Sequence, residues 1–193
     1  MKKIKAVIIA VLILGVLGGL TYSLYITFKS GAASAGTVTC TEGGCIWTAH
    51  IHSFIPISIC GKDYRLPIET APLIGPHTHE EKNIAHWHDK LPYDKDLKAI
   101  TNTEPITLKA FFEEIEVPFS ATRIADKNNG DLCDDGLQGT VSVFINGTLD
   151  ADPASYVWRD RDIIQIYFHT NSLEELTNEV NANPVRFPKL GRG

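Results

Sequence analysis

The chain has 193 residues, a formal net charge of −5 and a hydrophobic fraction of 44%. Without the three lysines among the first five residues, 15 basic residues stand against 23 acidic ones, so the rest of the chain carries a net charge of −8. Such an acidic surface argues against nucleic acid and anionic lipid as partners.

The N-terminal segment 1–29 predicts a transmembrane signal anchor. Its early lysines precede an uncharged stretch from Ala6 to Phe28, which as a helix would span roughly 35 Å, enough for a bilayer core. The lysines are expected in the cytoplasm, which predicts a single-pass protein of the cell membrane with its remaining residues on the extracytoplasmic side. Signal-peptide cleavage at the Ala-Ser-Ala segment 33–35 is the alternative.

The composition then divides the rest of the chain into three parts. Residues 30–44 are rich in Gly, Ala, Ser and Thr and predict a flexible spacer. Residues 45–183 are expected to form one extracytoplasmic, histidine-rich domain, which is long enough for a proper core. Residues 184–193 are expected to be a loose tail.

Four cysteines fit an oxidising compartment and at most two disulfides. Of the three pairings that four cysteines allow, we favour Cys40–Cys45 with Cys60–Cys133, because only a short Thr-Glu-Gly-Gly turn separates the first two. The second disulfide would close a long loop and stabilise the fold by about 4 kcal/mol. Cysteine thiolates acting as metal ligands are the alternative.

The first strand pair is predicted directly after the spacer. Between residues 49 and 59, Ile51 and the later isoleucines share one parity, while His50 and His52 take the other. This alternation indicates a strand with an apolar face and a histidine face. A turn at 60–63 and a second alternating segment complete a hairpin, and residues 69–97, which contain three prolines, predict a long, partly irregular functional loop.

The second half of the chain predicts a helix, a strand series and another helix. The apolar spacing after Thr107 is that of a short helix with Thr107 as its cap. Residues 140–145 and 163–168 alternate as strands, with a hairpin turn at Asn146-Gly147. Ser172 and Glu175 form the capping box of a final helix.

The order of hairpin, helix and later strands predicts the α+β fold class. We expect the N-terminal transmembrane helix to be followed by a β-grasp-like (ubiquitin-like) mixed sheet, with one packed helix across it and a C-terminal helix.

Histidine carries the strongest functional signal. Six of the seven histidines form three His-x-His pairs, which are His50/His52, His77/His79 and His86/His88. Alternate residues of an extended segment point to one side, so each pair can present two imidazoles to one ion. Neutral imidazoles suit zinc, copper, nickel and iron, and we expect copper or zinc. The alternative is that these histidines are solvated or hydrogen-bonded.

Two acidic residues follow the second pair. Glu80 and Glu81 could act as metal ligands, as a general base or as hydrogen-bond acceptors that orient the ligands. Solvation of an exposed pair of glutamates is the competing interpretation. No catalytic residue can be assigned.

The sequence also resembles a group of uncharacterised exported or membrane-anchored proteins of archaea and bacteria, over roughly residues 49–168. The shared pattern comprises His50/His52, Gly61-Lys62, His77-Thr78-His79, His86/His88, Thr107-Leu108, Phe111-Phe112 and the Asn146-Gly147 hairpin. The third histidine element of that group is often His-x-Glu, whereas this chain has His86-Trp87-His88. The resemblance implies the fold and the histidine site, but it implies no activity.

These observations favour a membrane-anchored, extracytoplasmic protein that binds copper or zinc for metal capture, transfer or sensing. Two alternatives stay open: an accessory or structural subunit of a membrane complex, and a small zinc or copper metalloenzyme.

Overall fold

The computed structural model describes residues 36–68 and 74–190. The predicted anchor at 1–29 lies outside these residues, as do the last three residues of the predicted tail. In the described part of the chain, no helix is long and apolar enough to cross a membrane.

Strands account for most of the regular structure. In the first half they are β1 (Gly36–Thr41), β2 (Gly44–Phe54), β3 (Ile57–Ile59), β4 (Lys62–Tyr64), β5 (Pro76–Thr78), β6 (Ile84–Asp94) and β7 (Ala99–Ile100). The second half contains α1 (Leu108–Glu114), β8 (Phe119–Ser120), β9 (Arg123–Ile124), β10 (Lys127–Asn128), β11 (Thr140–Ile145), β12 (Thr148–Asp150), β13 (Ile164–His169) and α2 (Leu173–Ala182). Short 3-10 turns occur at Glu104–Ile106 and Pro153–Ser155.

The first sheet, here called the histidine sheet, has the order β1-β2-β6-β5, and β7 also pairs with β6. All of its pairs are antiparallel. Strands β2 and β6 have 11 residues each and pair over ten positions, from Cys45 opposite Tyr93 to Phe54 opposite Ile84. This long ladder is the frame on which the histidines are arranged.

The second sheet, here called the mixed sheet, has the order β12-β11-β13-β3-β4. Strands β13 and β3 are parallel, whereas the other neighbours are antiparallel. The β11–β12 hairpin turns at Asn146 and Gly147, whose φ angles of 50° and 83° lie in the left-handed region that such a turn requires. Strands β8, β9 and β10 form a small separate sheet.

One cluster of buried hydrophobic side chains joins the two sheets and α1. It includes Trp47 and Trp87 from the histidine sheet, Ile166 from the mixed sheet, and Phe111 and Phe112 from α1. Each of these side chains is at most 2% exposed. The inward residues of both sheets therefore share one core, as alternation along each strand requires.

Both helices begin at the caps that the sequence predicts. The Thr107 side chain accepts a hydrogen bond from the Ala110 backbone N–H at 3.2 Å, which satisfies one of the free donors at the start of α1. Ser172 and Glu175 form a reciprocal capping box at the start of α2.

The predicted fold class is wrong. Strand makes up 43% of the structure and helix 15%. The α-helices of the described residues have only 7 and 10 residues, and the strands form two five-stranded sheets and a small three-stranded one instead of the one β-grasp-like sheet that we expected. The physical reason is that β6 pairs along the whole histidine-bearing part of β2. The histidine-bearing strands therefore form a separate sheet.

Three local expectations also change. The segment 49–59, expected as one strand, divides at Ile55-Pro56 between β2 and β3, which belong to different sheets. Residues 84–94, expected within an irregular loop, form the long strand β6. Part of the expected spacer, Gly36–Thr41, is strand β1 and pairs with β2; its β-branched Thr-Val-Thr run suits a strand.

Candidate metal centre

Strand register brings the histidines together. His50 lies opposite His88 and His52 opposite His86 in the β2–β6 ladder. His77 on β5 also lies opposite His86, from its other side. Directly paired residues of an antiparallel ladder project to the same face of the sheet, so three neighbouring strands place their histidines on one face. His79 follows β5 by one residue and keeps the parity of His77.

The opposite face explains this orientation. Trp47, Ala49 and Ile51 alternate with the histidines of β2, and each is at most 7% exposed. Ala85 and Trp87 do the same on β6, at 0% and 2%. Burial of these side chains holds the register, because a shift of one residue would turn the tryptophans outward and the histidines into the core.

The imidazoles are close enough to share ions. The Nε2 atoms of His50 and His52 are 2.9 Å apart, and those of His77 and His79 are 3.2 Å apart. Donor atoms form two groups in which all lie within 4.8 Å of one another, with His88 common to both. The first group is His50, His52, His86 and His88, and the second is His77, His79 and His88.

These separations fit coordination to one ion. Two nitrogens at about 2.0–2.1 Å from zinc stand about 3.3 Å apart in a tetrahedron and about 2.9 Å apart at a right angle. The two observed Nε2 separations, 2.9 Å and 3.2 Å, lie in this range. The histidine groups could therefore hold a metal ion with small adjustments of the side chains.

The cluster is buried on one side and open on the other. His77 and His86 are 1% and 4% exposed, whereas His50 and His88 are exposed. Among the described residues, neither ring nitrogen of His86 has a hydrogen-bond partner. A buried imidazole without partners is costly, and coordination to an ion would satisfy one of its nitrogens.

One neighbouring backbone group orients a histidine for binding. His77 Nδ1 is 2.9 Å from the carbonyl oxygen of Gly75. Since a carbonyl can only accept, Nδ1 carries the proton and donates it, which leaves Nε2 of the neutral ring as the metal-binding atom. That is the atom that faces His79.

The surroundings favour the neutral form of four of the imidazoles. Burial, followed by the neighbouring histidines, lowers the pKa of His86 to about 3. The same causes lower the pKa of His88 to about 4, and burial is also the main cause that lowers the pKa values of His52 and His77. Neutral imidazole is the form that binds metal, so these rings need not lose a proton to bind at neutral pH.

Carboxylates flank the cluster, and one of them, Asp160, was not predicted from the sequence. Glu81 places Oε2 4.0 Å from Nε2 of the His86 ring, whereas Glu80 is exposed and contributes its backbone oxygen to a hydrogen bond from Arg65. Asp160 Oδ1 accepts the His52 backbone N–H at 3.0 Å and lies 3.6 Å from His52 Nδ1. Asp160 is 108 residues from His52, so no local sequence motif predicts their contact.

The remaining candidates lie elsewhere. The predicted disulfides are confirmed as Cys40–Cys45 and Cys60–Cys133, which rules out thiolate ligation because no cysteine is free. His169 lies outside both histidine groups, and its Nε2 is 2.9 Å from Ser142 Oγ. It serves as a natural control for experiments on the cluster.

Comparison with known proteins assigns no relative to this site. No protein-family model, curated protein or solved structure matches the chain.

Proposed function

We propose that this protein is an extracytoplasmic metal-binding protein that captures copper or zinc on the outer face of the histidine sheet and releases it to a partner. The observation that carries the proposal is the convergence of six imidazoles from neighbouring strands into two groups of closely spaced donor atoms. Grouped imidazoles repel one another when protonated, whereas a bound cation gives their proximity a favourable interaction.

The exposure of the ligands favours exchange over a closed structural role. His50 and His88 are exposed to solvent, whereas the ligands His77 and His86 are buried. An ion can therefore first meet solvent-exposed imidazoles and then gain buried ones. A structural zinc site, by contrast, usually encloses its ion with four protein ligands.

The disulfides support the extracytoplasmic location. Cys40–Cys45 joins the ends of β1 and β2, and Cys60–Cys133 joins the β3–β4 turn to the loop before β11. Such bonds persist in oxidising compartments and are rare in the cytosol. Because all four cysteines are in disulfides, a metal ion must bind other side chains of this protein, and imidazoles are suitable ligands.

Equilibrium dialysis of the full-length chain tests the proposal. Purified protein is dialysed at neutral pH against Zn²⁺ or, under anaerobic conditions, Cu⁺, and bound metal is counted by elemental analysis. We expect stoichiometric binding by the parent and by His169→Ala. The variant with His50, His52, His77 and His79 all replaced by alanine should bind none.

Two controls make the result decisive. Far-UV circular dichroism and the unreduced mass establish that the fourfold variant retains its sheets and both disulfides. Absence of metal from the parent, or equal binding by parent and folded fourfold variant, would contradict the proposal.

A further inference from the structure

We propose that the histidine cluster binds two ions at once, with three imidazoles for each. The first ion takes His50, His52 and His86, and the second takes His77, His79 and His88. This inference rests on the proposed function and specifies how many ions each chain binds.

A single ion leaves part of the cluster unexplained. A tetrahedral zinc ion has four ligands, and the larger donor group, which includes His86 and His88, already supplies four. His77 and His79 would then be spare, although their Nε2 atoms are 3.2 Å apart, as for two ligands of one ion. Division into three and three uses every imidazole once.

His88 makes the division feasible because it belongs to both donor groups. Its ring centroid is 3.9 Å from that of His50 and 5.0 Å from that of His77. With one ion bound, His88 can complete the four-histidine group. When a second ion arrives, His88 can complete the group of His77 and His79, and His86 remains with the first ion.

His86 provides an independent reason to keep three ligands on the first ion. Its ring is 4.7 Å from that of His52 and it is 4% exposed, and in the part of the chain that the structure describes neither of its nitrogens has a hydrogen-bond partner. Glu81 Oε2 is 4.0 Å from its Nε2. A buried, neutral imidazole without a hydrogen-bond partner can donate a ring-nitrogen lone pair directly to a metal ion.

Charge indicates which ions fit as a pair. All six ligands are neutral when they bind, so the ligands themselves cancel none of the ions' charge. The nearby carboxylates are Asp160, 3.6 Å from His52 Nδ1, and Glu81. Repulsion between two monovalent ions is one quarter of that between two divalent ions at the same separation. We therefore expect Cu⁺ to fill both sets, and we choose it as the probe.

The experiment is an anaerobic titration of the full-length chain with Cu⁺ against a chromophoric competing chelator. The parent and His169→Ala should each bind two ions per chain. His50→Ala/His52→Ala and His77→Ala/His79→Ala should each bind one. If His77→Ala/His79→Ala misfolds because His77 is buried, the single variant His79→Ala is used in its place. His79→Ala should weaken one of the two binding steps at least about tenfold.

The outcomes separate this inference from the proposed function. Saturation of the parent at one ion overturns the two-ion inference and leaves metal binding intact. Absence of Cu⁺ binding also overturns the inference, and it overturns the proposed function as well if the dialysis finds no bound Zn²⁺. A folded pair variant that still binds two ions, or that binds none, contradicts the division into three and three.

Discussion

The two sheets share one core but differ on their outer faces. On the mixed sheet, the outward Phe144 of β11 packs with Leu176 and Val180 of α2, and Tyr167 of β13 joins them. On the histidine sheet, the corresponding face carries imidazoles, two of which, His50 and His88, are exposed. Strand alternation gives both sheets an inner face, and the residues at the other parity decide whether the outer face is covered by a helix or available to a ligand.

The comparison separates stability from function along a single strand. On β6, Trp87 points into the shared core, while the buried His86 and the exposed His88 on either side of it lie on the opposite face of the sheet. Changes at the inner parity should therefore affect the free energy of unfolding, and changes at the outer parity should affect metal binding.

The largest effect is expected at Trp87, which is 2% exposed. Trp87→Ala removes a large buried side chain and leaves a cavity, which should lower the free energy of unfolding by about 3–5 kcal/mol. The exposed neighbour variant His88→Ala should change it by less than about 0.5 kcal/mol in the absence of metal. Urea unfolding of the metal-free proteins measures both, and equal losses would contradict the division between the two faces.

The two disulfides should differ in their contribution to the free energy of unfolding. Cys60 and Cys133 are 73 residues apart, whereas Cys40 and Cys45 are 5 residues apart. Loop-closure entropy predicts that Cys60→Ala/Cys133→Ala costs about 4 kcal/mol and Cys40→Ala/Cys45→Ala about 2 kcal/mol. Chemical denaturation of the two double variants tests the ranking, which fails if the β1–β2 disulfide contributes as much as the longer one.

Loss of the helical cover should cost less than loss of the core. Leu176 of α2 is 2% exposed, whereas Leu173 on the same helix is 47% exposed. Leu176→Ala should lower the free energy of unfolding by about 2–3 kcal/mol, and the matched control Leu173→Ala should stay within about 0.5 kcal/mol of the parent. Neither variant should change the metal content. A fall in metal content with Leu176→Ala would show that the two outer faces are coupled.

The smallest effect is a pH dependence of the metal-free protein. The pKa of His86 is lowered to about 3 in the folded state from its usual 6.5. The unfolded chain therefore binds more protons below about pH 6.5, and stability should fall with decreasing pH by up to about 1.4 kcal/mol per pH unit from this group. His86→Gln should reduce the slope between pH 6.5 and the onset of carboxylate protonation near pH 5. An unchanged slope would show that His86 is not held neutral by the fold.

Local patterns predicted part of this architecture correctly. Alternation along β2 placed Ile51 inward and His50 and His52 outward, and the caps at Thr107 and Ser172 marked both helix starts. These features depend on residues close in sequence, which is why a single sequence can reveal them.

The failures have the opposite origin. The pairing of β6 with β2 depends on contacts between distant segments, and proline, present in β6 as Pro92, made an irregular loop the simpler expectation. The approach of Asp160 to His52 joins residues 108 apart. The histidine pairs could be recognised from the sequence, whereas the register that makes them neighbours required the three-dimensional structure.

Anomalous diffraction tests the central claim most directly. Crystals of the full-length chain grown with Zn²⁺ are measured on both sides of the zinc absorption edge. We predict anomalous density on the outer face of the histidine sheet, within about 2.0–2.2 Å of at least three of the six imidazole rings. Density confined to other sites, such as surface carboxylates or His169, would contradict the assignment of this face as the metal centre.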